Sequence, residues 1–449
     1  MLTEKRINED LDQFQTELEE RFAYLKTNNV DYKTAIQAIR EKTAKGMEVN
    51  AFGIELTEVL GLFQDCHAGI GGLRYPEGYL PFFIESIGDR YIAVLSDRSN
   101  FLDDDFPYIT KIDDLSIDEW CGVVKPFVAR GSPQLVRYRS LRLLAHITFA
   151  RGEAGFEKRN TLKVELVSKD RRQKKTVKLD VSHQNPGNGI WPQTQSGIIQ
   201  SDRGYLRITN WLRNMVDDIE IWMARFRNTE GLIIDVRDNS GGTRNILRTL
   251  YPYFSEPSDP PIVANAAKYK RFREHTEGYL DSRYMYPKNW DGWSYEEREA
   301  ISTFMESFNP EWTVPEDEFS QWHFWVLSKR SNPEVYYYSK PVIFLINQKG
   351  FSATGVIVSA LKGLDNITLV GTPTGGGSGA RRVTTLKHSQ LRLGLSSMAS
   401  FQKDGKLFDG NGVQPDIFIE PVPEYFLKNG PDNVLEKAIQ LIFNGHSGG

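Results

Sequence analysis

The sequence predicts an α/β protein in which helices cover a parallel or mixed sheet. Apolar residues recur at three- and four-residue spacing over residues 1–65, which is typical of helices. Short runs rich in β-branched and aromatic residues, separated by turn formers, fill residues 80–180. From residue 204 onward strand-like and helical segments alternate, and this alternation indicates a sheet covered by helices.

The composition is that of an ordinary globular protein. Hydrophobic residues make up 40% and charged residues 25% of 449 residues, so the chain can bury a large core and is not disordered. Lys and Arg total 55 against 59 Asp and Glu, a net charge of −4, which excludes a broad nucleic-acid-binding surface. Cys66 and Cys121 do not form a CxxC pair, so neither a structural zinc site nor a disulfide framework is expected.

The hydropathy pattern shows no membrane span. No apolar run approaches the roughly 20 residues that cross a bilayer. The start, MLTEKRINED, lacks the apolar stretch of a secretory signal, although a trimmed chain could have lost one. We therefore expect a cytoplasmic location.

The periodicity divides the chain into four parts. The first is helical and carries His67, the second is β-rich, the third is an α/β core in two pieces, and the fourth interrupts that core without a clear period. Their bounds are 1–72, 73–185, 186–255 with 335–449, and 256–334. The interrupting segment is expected to be an insertion, either a lid over a site or a packed appendage.

Ser352 is a candidate catalytic residue because it lies between a predicted strand and a predicted helix. The segment KPVIFLINQKGFSATGVIVSALKGL gives a strand, a glycine turn and a helix that Ser352 opens. A hydroxyl there lies at the positive end of the helix dipole, and the Ala353 N–H can point at a developing oxyanion. An ordinary N-cap serine has the same pattern, so both interpretations stay open.

A second glycine turn follows the predicted buried strand GLIID. In GLIIDVRDNSGG, Gly241 and Gly242 can supply another backbone donor to an oxyanion. Such a turn would suit a phosphate as well, but it matches neither GxGxxG nor a P-loop. Asp235 and Arg237 at the strand end are also compatible with a structural ion pair.

His67, in the segment DCHAGIGG, is the candidate base. Of seven histidines, only His67 and His388 lie in the expected core. A neutral imidazole is the usual base that activates a serine hydroxyl. A lone histidine is more often structural, so the pairing of His67 with Ser352 is a prediction.

Four segments, in this order, resemble the carboxyl-terminal processing (tail-specific) serine protease family: LIIDVRDNSGG, NQKGFSATG, LVGTPTGGG and DGNGVQPDIFIE. The resemblance is specific over 198–255 and 335–420 and looser over 60–180. It implies a crotonase-like (ClpP/crotonase) α/β protease core and a PDZ-like module over 73–185. Residues 256–334 match no segment of the family.

The resemblance also favours one branch of this family. Many members use a Ser–Lys dyad whose lysine follows a G-x-P-T stretch, but here that stretch is GTPTGGGS, and Gly377 occupies the lysine position. Arg381 and Arg382 lie nearby but cannot act as bases, because a guanidinium stays protonated. The tricorn-like Ser/His branch is therefore the better match.

That branch implies the remaining roles. Ser352 would be the nucleophile, His67 the base, and Asp409, just before the G-V-x-P-D stretch, the acid. The acid is usually a glutamate, so Asp409 has one methylene less reach. A serine before the histidine helps to orient it in that branch, and here Cys66, a weaker hydrogen-bond partner, occupies that position.

The implied activity is hydrolysis of peptide bonds through an acyl-enzyme. The N–H groups of Ala353 and of Gly241 or Gly242 would hold the oxyanion. The expected partner is a peptide or protein substrate, and no metal or cofactor is implied. The PDZ-like module would bind an extended peptide by strand addition, or would only hold His67 against the core. Relatives often assemble, which leaves oligomers open.

Two other functions share this fold class. The same core is a non-catalytic retinoid carrier in one animal branch, and the lost lysine and the aromatic residues of 285–325 would suit a ligand- or peptide-binding protein. A crotonase-type acyl-CoA enzyme would also have an oxyanion hole of backbone N–H groups. The segments DVRDNSGG and GVQPD favour the peptidase over the acyl-CoA enzyme.

Overall fold

The computed structural model describes residues 1–43, 45–187, 189–200, 202–272 and 278–445. Within these residues helices and strands are interleaved, which confirms the mixed α/β class. The helices are α1 (Glu4–Arg21), α2 (Tyr32–Lys42), α3 (Val49–Leu60), α4 (Ile117–Val124), α5 (Pro133–Leu144), α6 (Ile147–Glu153), α7 (Met215–Phe226), α8 (Asn245–Phe254), α9 (Tyr295–Ser307), α10 (Ala353–Leu361), α11 (Phe408–Asn411) and α12 (Asn433–Gly445). None of these described helices is both long and apolar enough to cross a bilayer.

The strands form four sheets. They are β1 (Gly69–Gly71), β2 (Phe82–Ile87), β3 (Arg90–Leu95), β4 (Tyr108–Ile112), β5 (Leu115–Ser116), β6 (Thr161–Val167), β7 (Lys174–Asp180), β8 (Gly197–Ile199), β9 (Arg203–Arg207), β10 (Gly231–Asp235), β11 (Ile262–Tyr269), β12 (Tyr286–Pro287), β13 (His323–Leu327), β14 (Val342–Ile346), β15 (Ile367–Gly371), β16 (Arg381–Thr385), β17 (Arg392–Ser396), β18 (Met398–Phe401) and β19 (Ile417–Phe418). These bounds refer to the described part of the chain.

A six-stranded sheet of order β19-β15-β14-β10-β9-β8 lies at the centre of the predicted core. Neighbouring strands are parallel except β8 and β9. Every residue of β10 and β14 is buried, as is usual for parallel strands covered on both faces. Side chains of α7, α8 and α10 pack on one face, and those of α12 pack on the other. The predicted alternation of strands and helices is therefore confirmed.

The N-terminal helices pack on a small sheet of order β1-β17-β16. Phe14 of α1 and Phe52 of α3 share a buried cluster with Leu393 and Leu395 of β17. Strand β1 then pairs with β17 in an antiparallel manner. Because the loop between α3 and β1 carries His67, this packing places that histidine over the C-terminal part of the chain.

Residues 73–185 contain an antiparallel sheet of order β2-β3-β4-β6-β7, with β5 paired to β4. Helices α4, α5 and α6 contribute to its buried cluster. The sequence of LVRYRSLRLLAHITFA predicts a single helix, but the structure divides this segment between α5 and α6. The chain turns at Ala145 and His146, where the Ala145 carbonyl accepts a hydrogen bond from the Leu80 N–H.

Residues 256–334, for which the sequence shows no clear period, contribute β11, β12, α9 and β13. Strand β11 pairs with β13 on one side and with β18 on the other, in a sheet of order β12-β13-β11-β18. Ala264, Ala267 and Trp325 are buried in the same cluster as the central sheet. This segment is therefore joined to the C-terminal part of the chain through a shared sheet.

A buried ion network fixes the carboxyl end of β10. Asp235 is fully buried and accepts hydrogen bonds from the Arg237 guanidinium at 3.0 and 2.6 Å and from the Tyr205 hydroxyl at 2.7 Å. Arg237 also donates to both carboxylate oxygens of Asp432. Burial raises the pKa of Asp235, but the charges of Arg237 and Arg207 outweigh this and keep it below its ordinary value. The structural ion pair suggested by the sequence is present.

We expect the Asp235→Ala variant to lose about 3–5 kcal/mol of unfolding free energy, because Arg237 and Arg207 would lose a buried counter-charge. Asp217→Ala removes an exposed carboxylate on α7 and should change stability by less than about 0.5 kcal/mol. Urea denaturation followed by tryptophan fluorescence measures both. Equal stability of the two variants would contradict a structural role for the network.

Candidate active site

His67 and Ser352 lie in contact although they are 285 positions apart in the chain. The His67 Nε2 atom is 3.2 Å from the Ser352 Oγ atom. His67 lies in the loop between α3 and β1, and Ser352 directly precedes α10 in the turn after β14. An imidazole nitrogen and a hydroxyl at this distance are placed for proton transfer.

Ser352 has a strained backbone. Its φ is 57° and its ψ is −122°, a conformation that costs a non-glycine residue about 1–3 kcal/mol. The Ser352 N–H donates to the Gly376 carbonyl at 2.9 Å. The hydroxyl makes no capping hydrogen bond to α10. This geometry argues against an ordinary N-cap serine and leaves the hydroxyl directed at His67.

Asp409 lies on the other side of the histidine ring. Its Oδ1 atom is 4.0 Å from His67 Nδ1, which is too far for a direct hydrogen bond. Its oxygens accept instead from the Cys66 N–H at 3.1 Å, the Tyr24 hydroxyl at 2.9 Å and the Ser378 N–H at 3.0 Å. The buried Nδ1 atom has no hydrogen-bond partner among the described residues. A ring displacement of about 1 Å would bring Nδ1 within hydrogen-bond distance of the carboxylate.

Cys66 contacts the carboxylate of Asp409. Its N–H donates to Asp409, and its carbonyl accepts from Arg139 Nη1 at 2.9 Å. Burial raises the pKa of the Cys66 thiol well above its ordinary value, so the sulfur stays protonated at neutral pH. The charge of Asp409 and a side-chain interaction with it add to this rise, so both the thiol and the backbone N–H of Cys66 face that carboxylate.

Two side chains of the site, Tyr24 and Asp65, were missed in the sequence. Asp65 is fully buried, and its Oδ1 accepts from the His67 N–H at 2.8 Å and from the Ser396 hydroxyl at 2.6 Å. Its Oδ2 accepts from the Ser396 N–H at 3.0 Å. Burial and the charge of Asp409 raise the pKa of Asp65 to about 7. In the sequence, only the position of Asp65 two residues before His67 could have pointed to it. Its partner Ser396 lies on β17, 331 residues further along the chain.

The electrostatic environment keeps the imidazole neutral. Burial, together with the positive charges of Arg139, Arg283 and Arg381, lowers the pKa of His67 to about 4 against the opposing charge of Asp409. A neutral ring can accept a proton from a serine hydroxyl at physiological pH. The buried, positively charged surroundings therefore favour the base form.

The predicted oxyanion donors are not equivalent. Among the described residues, the N–H groups of Gly242 and Ala353 have no hydrogen-bond partner, whereas the Gly241 N–H donates to Asn239 Oδ1 at 2.9 Å. Gly241 has a φ of 102°, and a Cβ atom there would lie 2.8 Å from Ser352 Cβ. Gly241 thus provides space beside the hydroxyl, and Gly242 and Ala353 are the available donors.

The structure also explains why no lysine occupies position 377. Gly377 has a φ of 81°, and a Cβ atom there would lie 2.5 Å from the Phe351 ring and 3.1 Å from the Cys66 Cβ. The Phe351 ring in turn packs 4.6 Å from the His67 ring, measured between centroids. Phe351 and Cys66 therefore occupy the space that the Cβ atom of a lysine at position 377 would need.

Asp65, His67 and Asp409 could in principle hold a metal ion, since one ligand atom from each lies within 4.8 Å of the others. The carboxylate oxygens, however, already accept hydrogen bonds from backbone N–H groups and from the Ser396 and Tyr24 hydroxyls. A cation would have to displace these donors. The donor set suits proton transfer better than metal binding.

Comparisons with known proteins agree with this fold. Residues 202–419 match the model of peptidase family S41, so the family resemblance noted in the sequence is confirmed, while the tricorn-like branch stays a prediction. A Chlamydia trachomatis protein is 25% identical over 236 residues, and a Chlamydia muridarum protein is 24% identical over 233 residues. Each match covers 48% of this chain and 38% of the relative, so the chain spans well under half of their length.

Two solved structures share the fold over nearly the whole chain. Mature CPAF superposes with a TM-score of 0.70 and 17% identity, covering 98% of both chains. A putative peptidase from Parabacteroides merdae superposes with a TM-score of 0.52 and 15% identity, covering 98% of this chain and 97% of that one. At such low identity, the likeness establishes the fold.

The lowered pKa of His67 predicts a pH-dependent stability. The unfolded chain binds a proton at this histidine near pH 6.5, and the folded chain does so only near pH 4. The stabilisation that the neutral His67 gives the folded state is therefore fully present above pH 6.5. About 3 kcal/mol of unfolding free energy is lost as the pH falls to 4. His67→Gln should remove this loss relative to wild type in urea denaturation at pH 7 and pH 4.5. Parallel curves for the two proteins would contradict the assignment.

Proposed function

We propose that this chain, whose residues 202–419 belong to peptidase family S41, is a serine endopeptidase that cleaves peptide bonds in proteins or peptides. The observation that carries the proposal is the 3.2 Å contact between His67 Nε2 and Ser352 Oγ. Two features support it: the ring is neutral at physiological pH, as a general base must be, and the charge of Asp409 favours the protonated ring that forms when the serine proton is taken. The proposed catalytic group is Ser352, His67 and Asp409.

In the proposed reaction, Ser352 Oγ attacks the carbonyl carbon of the scissile bond while its proton moves to His67 Nε2. The negative oxygen of the tetrahedral intermediate accepts hydrogen bonds from the N–H groups of Gly242 and Ala353, each worth about 3 kcal/mol of barrier. His67 then gives its proton to the leaving amine, which leaves an acyl-enzyme. A water molecule, deprotonated by His67, hydrolyses the ester and restores Ser352.

Asp409 acts on the protonated ring. Its carboxylate lies 4.0 Å from Nδ1, where its charge raises the pKa of His67 and so stabilises the imidazolium that forms during attack. The hydrogen bonds from Tyr24 and Ser378 hold the carboxylate in that position. We infer that the neutral ring carries its proton on Nδ1 and that this N–H moves into hydrogen-bond distance of Asp409. The hydrogen bond would fix the tautomer that leaves Nε2 free to accept the serine proton.

The β-rich region, 73–185, is proposed to be a PDZ-like module. The proposed crotonase-like core comprises 186–255 and 335–449, with 1–72 as the N-terminal helical region and 256–334 as an insertion. Its helix α5 begins beside the glycine-rich turn of the site: the Ser132 hydroxyl donates to the Gly375 carbonyl at 2.9 Å, and Gln134 donates to the Thr374 carbonyl at 2.6 Å. These contacts favour a module that holds the site in place. Binding of an extended peptide at its edge would be a further role.

A non-catalytic binder is the second candidate, because the insertion contains an aromatic cavity of about 250 Å³. Tyr286 and Trp290 stack at its wall with a centroid separation of 3.8 Å, and Trp293 and Trp325 also line it. A fluorophosphonate probe distinguishes the two functions, since only an activated Ser352 would be labelled. Absence of labelling on the folded chain would favour the binder.

Ser352→Ala and His67→Ala should each lower peptide turnover by more than about 10³-fold, since nucleophile and base act as a unit. Ser359→Ala changes another buried serine of the same helix and should retain activity. The assay is release of a fluorescent group from a quenched peptide library. Near wild-type turnover by either site variant would make the assignment wrong.

Gly241→Ala should also abolish most turnover, because its Cβ would lie 2.8 Å from Ser352 Cβ and 2.7 Å from the Phe351 carbonyl oxygen. Gly363→Ala is the matched control, with a positive φ of 85° but no atom within 4 Å of the added carbon. Both variants carry the cost of a left-handed alanine, so their difference in fluorophosphonate labelling rate reports the crowding of Ser352 and its neighbours Phe351 and Ala353. Equal rates would contradict the close approach.

A further inference from the structure

An ion pair with little exposure to solvent joins two turns of the candidate active site. The Lys349 Nζ atom donates to Asp238 Oδ2 at 3.1 Å, and the two side chains are 10% and 7% exposed. Lys349 lies in the turn after β14, shortly before Ser352, and Asp238 lies in the turn after β10, shortly before Gly241 and Gly242. The pair therefore connects the turn of the proposed nucleophile with the glycine turn beside it.

The Asn347 side chain reinforces the same connection. Its Oδ1 atom accepts the Asp238 N–H at 3.0 Å and the Lys349 N–H at 3.2 Å, and its Nδ2 atom donates to Asp238 Oδ1 at 2.8 Å. Asp238 Oδ2 also accepts the Trp191 N–H at 3.0 Å. These contacts hold Asp238 at a φ of 58°, in the left-handed region that few residues other than glycine, asparagine and aspartate adopt.

The backbone carries this connection to the reacting groups. Asn239 directly follows Asp238, and its carbonyl accepts the Phe351 N–H at 3.1 Å. Phe351 directly precedes Ser352 in the chain. A displacement of the ion pair would therefore move Ser352 relative to the Gly242 N–H, which is one of the two available oxyanion donors.

The Lys349 ammonium stays charged in this enclosed position. Burial lowers the pKa of Lys349, but the charges of Asp238 and Glu85 outweigh this effect and hold it above its ordinary value. The Nζ atom also lies 5.3 Å from the centroid of the Tyr138 ring, on α5. Compared with apolar residues of similar volume, a buried ion pair often adds little stability, so the geometry that it imposes better explains its presence here.

We propose that Lys349 and Asp238 are positioning residues that fix the Ser352 hydroxyl relative to the Gly242 N–H. Neither residue exchanges a proton in the proposed reaction, and both act through the two turns that they join. The inference rests on the proposed peptidase function and names two further residues on which its rate depends. Loss of the pair should slow the chemical step with little effect on substrate binding, because a misplacement of about 1 Å can cost about 100-fold in rate.

Lys349→Met tests this role, since it removes the ammonium and keeps most of the side-chain length. We expect kcat for a quenched peptide to fall about 10- to 100-fold while KM changes less than about threefold. The rate at which a fluorophosphonate labels Ser352 should fall by a similar factor, because the same hydroxyl reacts. Both rates are measured well below the melting temperature, where circular dichroism shows folded protein, so that lost stability alone leaves them unchanged.

The ion pair of Arg151 with Asp113 provides the matched control. It is 2.9 Å long, both side chains are buried, and Asp113 is also left-handed, with a φ of 53°. Arg151 donates otherwise to the Arg159 and Thr161 carbonyls, and Asp113 accepts the Lys163 N–H, all within the β-rich region. Arg151→Met should therefore lower the unfolding free energy as Lys349→Met does, but keep the kcat and the labelling rate of the wild type.

Lys349→Met combined with Asp238→Asn removes both charges, so its stability in urea should return toward that of the wild type. We expect kcat to stay low, because the connection between the turns is still lost. The proposal is overturned if the single or the double variant reacts as fast as Arg151→Met, or if KM rises while kcat is unchanged. Failure of the wild-type Ser352 to react with the fluorophosphonate would instead count against the peptidase itself.

Discussion

The buried carboxylate of Asp65 connects the beginning of the chain to its C-terminal sheet, and the site depends on this connection. It accepts the His67 N–H on one side and both donors of Ser396 on the other. The N-terminal helices pack on the same strand, β17, so hydrophobic contact and hydrogen bonds locate the histidine loop together. Burial raises the pKa of Asp65 because a buried charge is unfavourable. The three hydrogen bonds to its oxygens lower the pKa and so partly offset the cost of burying the charge.

The sequence was informative where the chemistry is local. Strand–turn–helix patterns located Ser352 and the glycine turn, and the spacing of apolar residues located most helices. It was uninformative where partners are distant. Asp65 and Tyr24 contact Ser396 and Asp409 hundreds of residues away, and the sheet of the insertion is completed by β18. No local period can indicate such a pairing.

The site combines opposite charges at different depths. Two carboxylates, Asp65 and Asp409, lie under the histidine ring and are satisfied by backbone and hydroxyl donors. Burial keeps the ring neutral, and the guanidinium groups of Arg139, Arg283 and Arg381 add to this effect. Residues 256–334 contribute Arg283 to this outer layer, and the pairing of β11 with β18 joins that segment to the C-terminal part of the chain. A segment whose sequence shows no clear period thus helps to set the electrostatic potential at the histidine.

The crowding at Gly377 has an evolutionary consequence. Introducing a lysine there would require a smaller residue at position 351 and a rearranged loop at Cys66, because both now occupy the space near its Cβ. The altered position 351 would in turn remove the aromatic neighbour of His67. A change from a histidine to a lysine base would therefore need several coupled substitutions around His67, and not a single replacement at position 377.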